Sequence, residues 1–395
     1  MRLAHLADAH LGFRQYHRLT GQGVNQREAD IALAFSRALD DVIAEAPDVV
    51  VFAGDLFHSV RPTNPAILHS FNQLRRLREK LPAVPLVIVA GNHDTPRSVE
   101  TGSILRLFEA VEGVHVVLQE PRELRFAELD LSLFCVPHAA LASGARPRLV
   151  PASDAGRNVL VTHGEVAGIF RPGAAALEYG GAIVERSELH VDEWDYVALG
   201  HYHVAHDVAA NAWYSGALDY VSSNPWGELK DEDAVGRRGQ KGWLLVDLSD
   251  DVVVDFRPVR LARRFIDLEP IYASGSGAAV INSLLSERVA AVESGIEGQV
   301  VRQVVHDIPT PVARDLDYTL IRELKATALH YYLDLRRPRH RREVGVAAPG
   351  ARHTLAEVLT DYLSRRPGGA AGVRDPHLAL GRAYMDRVEQ DLLEG

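Results

Sequence analysis

The feature that most constrains this chain is a series of short apolar runs, each ending in a polar cluster. Residues 2–7, 49–53, 86–90, 131–136, 159–162 and 196–200 are such runs. Runs this short, rich in Val, Ile and Leu and closed by Gly or Asp, predict buried strands. Between them Ile31, Phe35, Ala38, Val42 and Ile43 recur at helical spacing, and so do Ile67, Phe71, Leu74 and Leu81. Alternating strands and helices predict a layered α/β domain. In such domains functional groups gather beyond the carboxyl ends of the strands.

The length of 395 residues predicts two or three domains. With 47% hydrophobic and 24% charged residues the chain can fill a sizeable core. A second, all-β stretch is expected from about Trp213, with strands at 241–247 and 252–256. A boundary follows near residue 260. From 265 to about 337 the pattern reads strand, helix, strand, helix, strand. The tract Ser274-Gly275-Ser276-Gly277 lacks a following Lys-Ser/Thr, which argues against a nucleotide phosphate loop. Five arginines fall within residues 336–342, a run that reads either as a solvated linker or as a contact for DNA backbone. Two amphipathic helices are expected at 353–364 and 376–393, short enough to need packing on the body or on a partner.

Five strand-end segments carry the chemistry. They are Asp8-Ala9-His10, Gly54-Asp55-Leu56-Phe57-His58, Gly91-Asn92-His93-Asp94, Thr162-His163-Gly164 and Gly200-His201-Tyr202-His203. While a chain is extended, residues i and i+2 point the same way, so Asp8 with His10 and His201 with His203 can each face one ion. Asp55 is an oxygen donor able to serve two cations, and Gly54 would let backbone approach closely. Each piece alone is weak, since a single histidine at a strand end is usually structural. Five consecutive strand ends with nitrogen or oxygen donors and no thiolate are not. Such donors suit manganese, magnesium, iron or zinc. The single cysteine, Cys135, can build neither an internal disulfide nor a zinc–thiolate site.

The ordered set Asp-x-His, Gly-Asp, Gly-Asn-His-Asp, His-Gly, Gly-His-x-His resembles the calcineurin-like metallophosphoesterases over about residues 1–260. Within them, residues 8–12 followed by Gln15-Tyr16-His17, together with His58 after Gly54-Asp55, look like the SbcD nuclease branch and the related meiotic-recombination nucleases. Ala7 departs from the family's usual Ser, without consequence for metal binding. The resemblance implies a four-layer α/β/β/α sandwich at 1–260, a small α+β capping domain at 261–338, and a linker with a helical partner-binding tail at 339–395. It implies two divalent ions, most readily manganese. Asp8, His10, Asp55 and His203 would hold one, and Asp55, Asn92, His163 and His201 the other. His93 is expected to serve the leaving oxygen, Asp94 to orient an imidazole, and His58 to position the phosphate or His93.

The implied activity is DNA cleavage, as 3′-to-5′ exonuclease and single-strand endonuclease, in a double-strand break repair complex. The implied partners are DNA, an SbcC-type coiled-coil ATPase docked on the C-terminal helices, and a second copy of the chain. A cytoplasmic, nucleoid-associated place is expected, because the first residues do not read as a signal peptide and no apolar run is long enough to span a membrane. The net charge of −10 argues mildly against whole-surface binding of nucleic acid. A phosphodiesterase or phosphatase for small phosphoesters is the rival enzyme. A scaffold with a vestigial site is the rival of another class.

Overall fold

The computed structural model describes residues 1–96, 102–151, 154–169, 181–249 and 251–338, with residues 357, 379–381, 383 and 384 beyond them. The chain divides into two units, Met1–Arg337 and Pro338–Gly395. Most of the second lies outside the described residues, including most of both expected terminal helices and Arg339, Arg341 and Arg342. Beyond Pro338 the residues described there are helical, and Leu380 and Tyr384 are exposed.

Two six-stranded sheets pack face to face. The first runs Val253–Pro258, Gly242–Asp247, Arg2–Leu6, Val49–Ala53, Leu86–Val89, Val114–Val117, its last four strands parallel. The second runs His206–Ala209, Ala212–Tyr214, Tyr196–Gly200, Arg157–His163, Leu131–Val136, Arg122–Phe126. Strand alternation sends Leu3, Val51 and Val87 inward to meet Leu133, Val161 and Ala198 of the other sheet. Ala4, Phe52 and Ile88 point outward instead, under the helices Gln26–Glu45 and Asn64–Lys80. Strands buried on both faces must be apolar throughout, which is why the short runs were legible.

Asn25 and Thr63 cap the two helices through their side-chain oxygens, and Pro65 opens the second. Among the described residues the outer face of the second sheet carries short helical turns, His138–Leu141, Arg186–Leu189 and Val191–Glu193, and a two-stranded ribbon of Glu165–Val166 with Ile183–Val184, over a core of Leu160, Val197 and Leu199. The four layers are therefore present, with the fourth thin.

The stretch after Trp213 is not all β as expected. Ala212–Tyr214 completes the second sheet, Gly242–Asp247 and Val253–Pro258 extend the first, and a helix, Pro225–Ala234, lies between. Weak amphipathicity hid that helix, since its first turn contains Pro225 and Gly227.

A third sheet follows, centred on Val300–His306. Phe265–Asp267 and Ile271–Tyr272 pair with one side of it and His330–Leu335 with the other, all parallel. The helices Ala278–Ala290 and Tyr318–Thr327 cover one face through Ile281, Leu285, Ile321 and Leu324. Phe265 and Val300 on the opposite face pack against Tyr220, Trp226 and Leu229. Arg27, fully buried, ties this seam together. Its guanidinium meets Asp219 at 2.7 Å and Asp30 at 3.1 Å, and lies 5.0 Å over the Phe265 ring.

Candidate metal centre

The carboxyl ends of five strands meet at one place. Asp8 and His10 follow Arg2–Leu6, Asp55 follows Val49–Ala53, Asn92 and His93 follow Leu86–Val89, His163 ends Arg157–His163, and His201 and His203 follow Tyr196–Gly200. Parallel register aligns these ends. Leu6 pairs with Phe52, Ala53 with Val89, and Gly200 with His163.

The extended backbone invoked for Asp8–His10 and His201–His203 is not what brings them together. Asp8 (φ 51°), His10 (φ 45°), Asp55 (φ 52°) and His201 (φ 114°) all have positive φ. The strands have ended, and tight turns aim these side chains. Such backbone costs on the order of 1–3 kcal/mol per residue and persists where the surroundings enforce it. The backbone N–H groups of Asp8 and His10 donate to Gly54 O and Asp55 O, and the N–H of His201 donates to both Asp8 oxygens at 3.2 and 3.0 Å.

Asp8, His10, Asp55, His163, His201 and His203 are all essentially inaccessible. One ligand atom each from Asp8, His10 and His203 lie within 4.8 Å of one another, and so do those of Asp8, Asp55 and His163. Asn92 Oδ1 lies 2.9 Å from His163 Nε2 and 3.3 Å from His201 Nδ1. His163 Nδ1 faces the Ala53 carbonyl at 2.8 Å, and a carbonyl can only accept. The Nδ1 proton is therefore fixed, and Nε2 is turned to Asp55 Oδ2 at 3.2 Å. That oxygen is buried, and His10 Nε2 lies 3.7 Å from it.

Electrostatics describe the same demand for positive charge. Burial lifts Asp8 to about 7 against the pull of His163 and His203. Burial would also raise Asp55, but His163, His10 and His93 outweigh it and hold the carboxyl well below its usual range. Burial opposes charge on His163, yet Asp55 and Asp8 prevail and raise it to about 9. Protons on imidazoles thus balance the carboxylates, a role divalent ions would take over with release of those protons. A buried acceptor, clustered imidazoles and an amide oxygen, with no thiolate, fit hard-to-borderline divalent ions.

His93 stands at the open side. Its Nδ1 donates to the His58 carbonyl at 2.6 Å, its ring stacks on His58 at 5.1 Å, and its backbone N–H donates to Asp55 Oδ1 at 2.9 Å. His58 Nδ1 lies 3.2 Å from His10 Nδ1. Asp94 does not orient an imidazole as expected. Among the described residues its carboxylate accepts from the backbone N–H of Leu56, Phe57 and Gly91, at 3.1–3.2 Å. It binds the Asp55 loop to the Asn92 loop, and burial together with the neighbouring Asp55 lifts it to about 6.

Gly54 is required on two counts. Its φ is +93°, and a Cβ there would stand 2.1 Å from His163 Nδ1.

A profile of the calcineurin-like phosphoesterase family matches residues 1–205. The chain belongs to the calcineurin-like phosphoesterases. Three curated relatives carry the name DNA double-strand break repair protein Mre11. That of Methanococcus maripaludis is 37% identical over 113 residues, which are 29% of this chain and 28% of the relative. That of Haloferax volcanii is 28% identical over 311 residues, covering 76% of this chain and 62% of the relative. That of Halobacterium salinarum is 29% identical over 297 residues, covering 73% and 67%. The chain thus spans under two thirds of the length of the first two.

Sequence reasoning missed part of this phosphoesterase's centre. Glu228, on the helix Pro225–Ala234, turns Oε1 to His203 Nδ1 at 3.7 Å, and both are buried. Lys241 Nζ bonds Glu228, lies 3.0 Å from Glu232, and donates to the His203 carbonyl at 2.8 Å. Burial would raise Glu228, but Lys241 overcomes it and holds the carboxyl at about 2. The only signal in the sequence was the spacing of Glu228 and Glu232, four apart and so on one helix face. His138 was also missed. It is buried beside the centre, and burial together with His163 lowers it to about 4.

Proposed function

We propose that this chain is a two-metal phosphodiesterase that cuts DNA, the nuclease subunit of an SbcC–SbcD-type double-strand break repair complex. One observation carries the choice of DNA over small phosphoesters. Similarity to the Mre11 protein of Haloferax volcanii covers 76% of this chain, too much to fit inside the 205 residues of the phosphoesterase match. The likeness therefore extends past the common catalytic core toward residues 261–338, which we read as the capping domain.

In this reading Asp8, His10, Asp55 and His203 hold one ion, and Asp55, Asn92, His163 and His201 the other. Divalent ions held there, most readily manganese, would supply activation of water and neutralisation of phosphate charge. The protein's own groups do the rest. His93, its Nδ1 proton committed to the His58 carbonyl, exchanges a proton with the leaving 3′ oxygen through Nε2. His58 braces that ring by stacking. Asp94 holds the two ligand loops in register. Exonuclease and single-strand endonuclease activities, a homodimer, and a coiled-coil ATPase on the C-terminal helices complete the proposal. Among the described residues no helix is long and apolar enough to cross a membrane, and we place the protein on cytoplasmic DNA.

The test is cutting of end-labelled duplex and of circular single-stranded DNA with manganese, magnesium or chelator, beside His93→Ala. Manganese-dependent cutting, lost in a variant that still binds metal, is the expected result. A protein that holds two ions and turns over only small aryl phosphodiesters, even with the ATPase added, would sink the DNA reading.

A further inference from the structure

His203 is gripped from behind by a closed polar network that the reaction above leaves unused. Lys241 lies at its centre, fully buried, with Nζ on Glu228, on Glu232 at 3.0 Å and on the His203 carbonyl at 2.8 Å. Each carboxylate has further donors. Glu228 Oε1 accepts from Ser222 Oγ. Glu232 Oε2 accepts from Tyr220 Oη at 2.7 Å and from the Gly239 N–H at 2.8 Å.

A core ion pair would need only Lys241 and Glu232. Glu228 adds something else, because the oxygen not given to Lys241 faces the ring of His203. One lysine thus fixes the backbone of His203 directly and its imidazole through Glu228. Burying an extra carboxylate is costly unless it is paired and hydrogen-bonded. Here the pairing is complete, and the Oε1 that accepts from Ser222 also faces a ring in the centre, 3.7 Å from its Nδ1.

We infer that Glu228, locked in place by Lys241, is the positioning residue of His203, resting on the two-ion reading above. A carboxylate opposite Nδ1 selects the tautomer with its proton there and leaves the Nε2 lone pair for a ligand bond. It also makes the imidazole a stronger donor. His163 gets its orientation from the Ala53 carbonyl, which is backbone and cannot be varied. His203 gets its orientation from a side chain, so its hold on an ion can be tuned.

The experiment is calorimetric titration of the chelator-stripped, full-length protein with manganese, for wild type and Glu228→Gln, each with a melting curve. Wild type should take two ions. The variant should take both, with one of them about 10–100-fold weaker. Nitrogen-15 shifts of His203 should show the Nδ1-protonated tautomer in wild type and a mixture in the variant. If the variant melts lower but binds both ions as tightly as wild type, Glu228 is a structural ion-pair partner and the inference falls. If wild type does not take two ions, the two-ion reading itself falls first. Should Glu228→Gln not fold, Glu228→Asp keeps the charge for Lys241 but withdraws the carboxylate from His203. The same weakening is expected there, and unchanged affinity overturns the inference equally.

Discussion

The sandwich and the third sheet are built by the same rule and end differently. Both have parallel strands, and both bury helices on a face through Val, Ile and Leu. In the sandwich the strands end at Asp8, Asp55, Asn92, His163 and His201, with four non-glycine residues at positive φ in the turns. In the third sheet they end at Ala273, Asp307 and Arg336, and only Asp307 has positive φ there. Among the described residues the third sheet holds no trio of acids and imidazoles within metal-binding reach. Parallel topology opens a crevice, but the side chains and strained turns that fill it make a site.

The sharpest break of this contrast is a pair of substitutions at strand ends. Asp55→Asn takes the charge from the carboxylate nearest His163 and His10. It should strip bound manganese and lower turnover of an aryl phosphodiester by about 10³-fold or more, roughly 4 kcal/mol of barrier. His306→Ala removes the one imidazole that ends a strand of the third sheet, where it stacks on Tyr272 at 5.1 Å. Metal content and turnover of the small substrate should not change. Equal losses in the two variants, read by metal analysis and kinetics, would show that the third sheet belongs to the site.

Two glycines sharpen the comparison on stability. At Gly54 a methyl group would meet the His163 ring at 2.1 Å on backbone of φ +93°. Gly54→Ala should cost about 2–4 kcal/mol in chemical denaturation and weaken metal binding as well. At Gly277, which precedes the helix Ala278–Ala290, a methyl group meets nothing within 4 Å. Gly277 caps that helix, so Gly277→Ala should cost no more than about 1 kcal/mol. A small loss at Gly54 would mean that the turn carrying Asp55 is looser than its geometry implies.

Much of this was legible, for physical reasons. A strand buried on both faces has no choice but an apolar run, and its polar successor marks the end. That exposed 49–53, 159–162 and 196–200 and their ligands. What was not legible depends on which polar groups fold inward. Residues 228–233 read Glu-Leu-Lys-Asp-Glu-Asp, like any solvated helix face. Only the structure selects Glu228 and Glu232 for burial, and their partner Lys241 sits before a strand elsewhere in the chain. Asp94 was read as an imidazole partner because it follows His93. Its carboxylate turns to the backbone N–H groups of Leu56, Phe57 and Gly91 instead and so joins the two ligand loops.

The smallest effect separates the regions by pH. His5 lies inside the sandwich, fully buried, with Nδ1 3.0 Å from Tyr196 Oη. Burial lowers it to about 3, against a partial gain from the Leu199 backbone. In the unfolded chain an ordinary histidine titrates near 6.5. Between these values the unfolded state binds a proton that the folded state refuses. Stability from this group is therefore complete above about pH 6.5 and drains as pH falls toward 3, by at most about 1.4 kcal/mol per pH unit. In the third sheet His306 stands on a half-exposed face and contributes no such burial. Denaturation of chelator-treated protein at pH 7.5, 6 and 5 should show the acid loss in wild type and in His306→Ala. It should be shallower in His5→Gln, which cannot take up the proton in either state. If His5→Gln keeps the full slope, the acid sensitivity belongs to buried histidines elsewhere, His138 first among them.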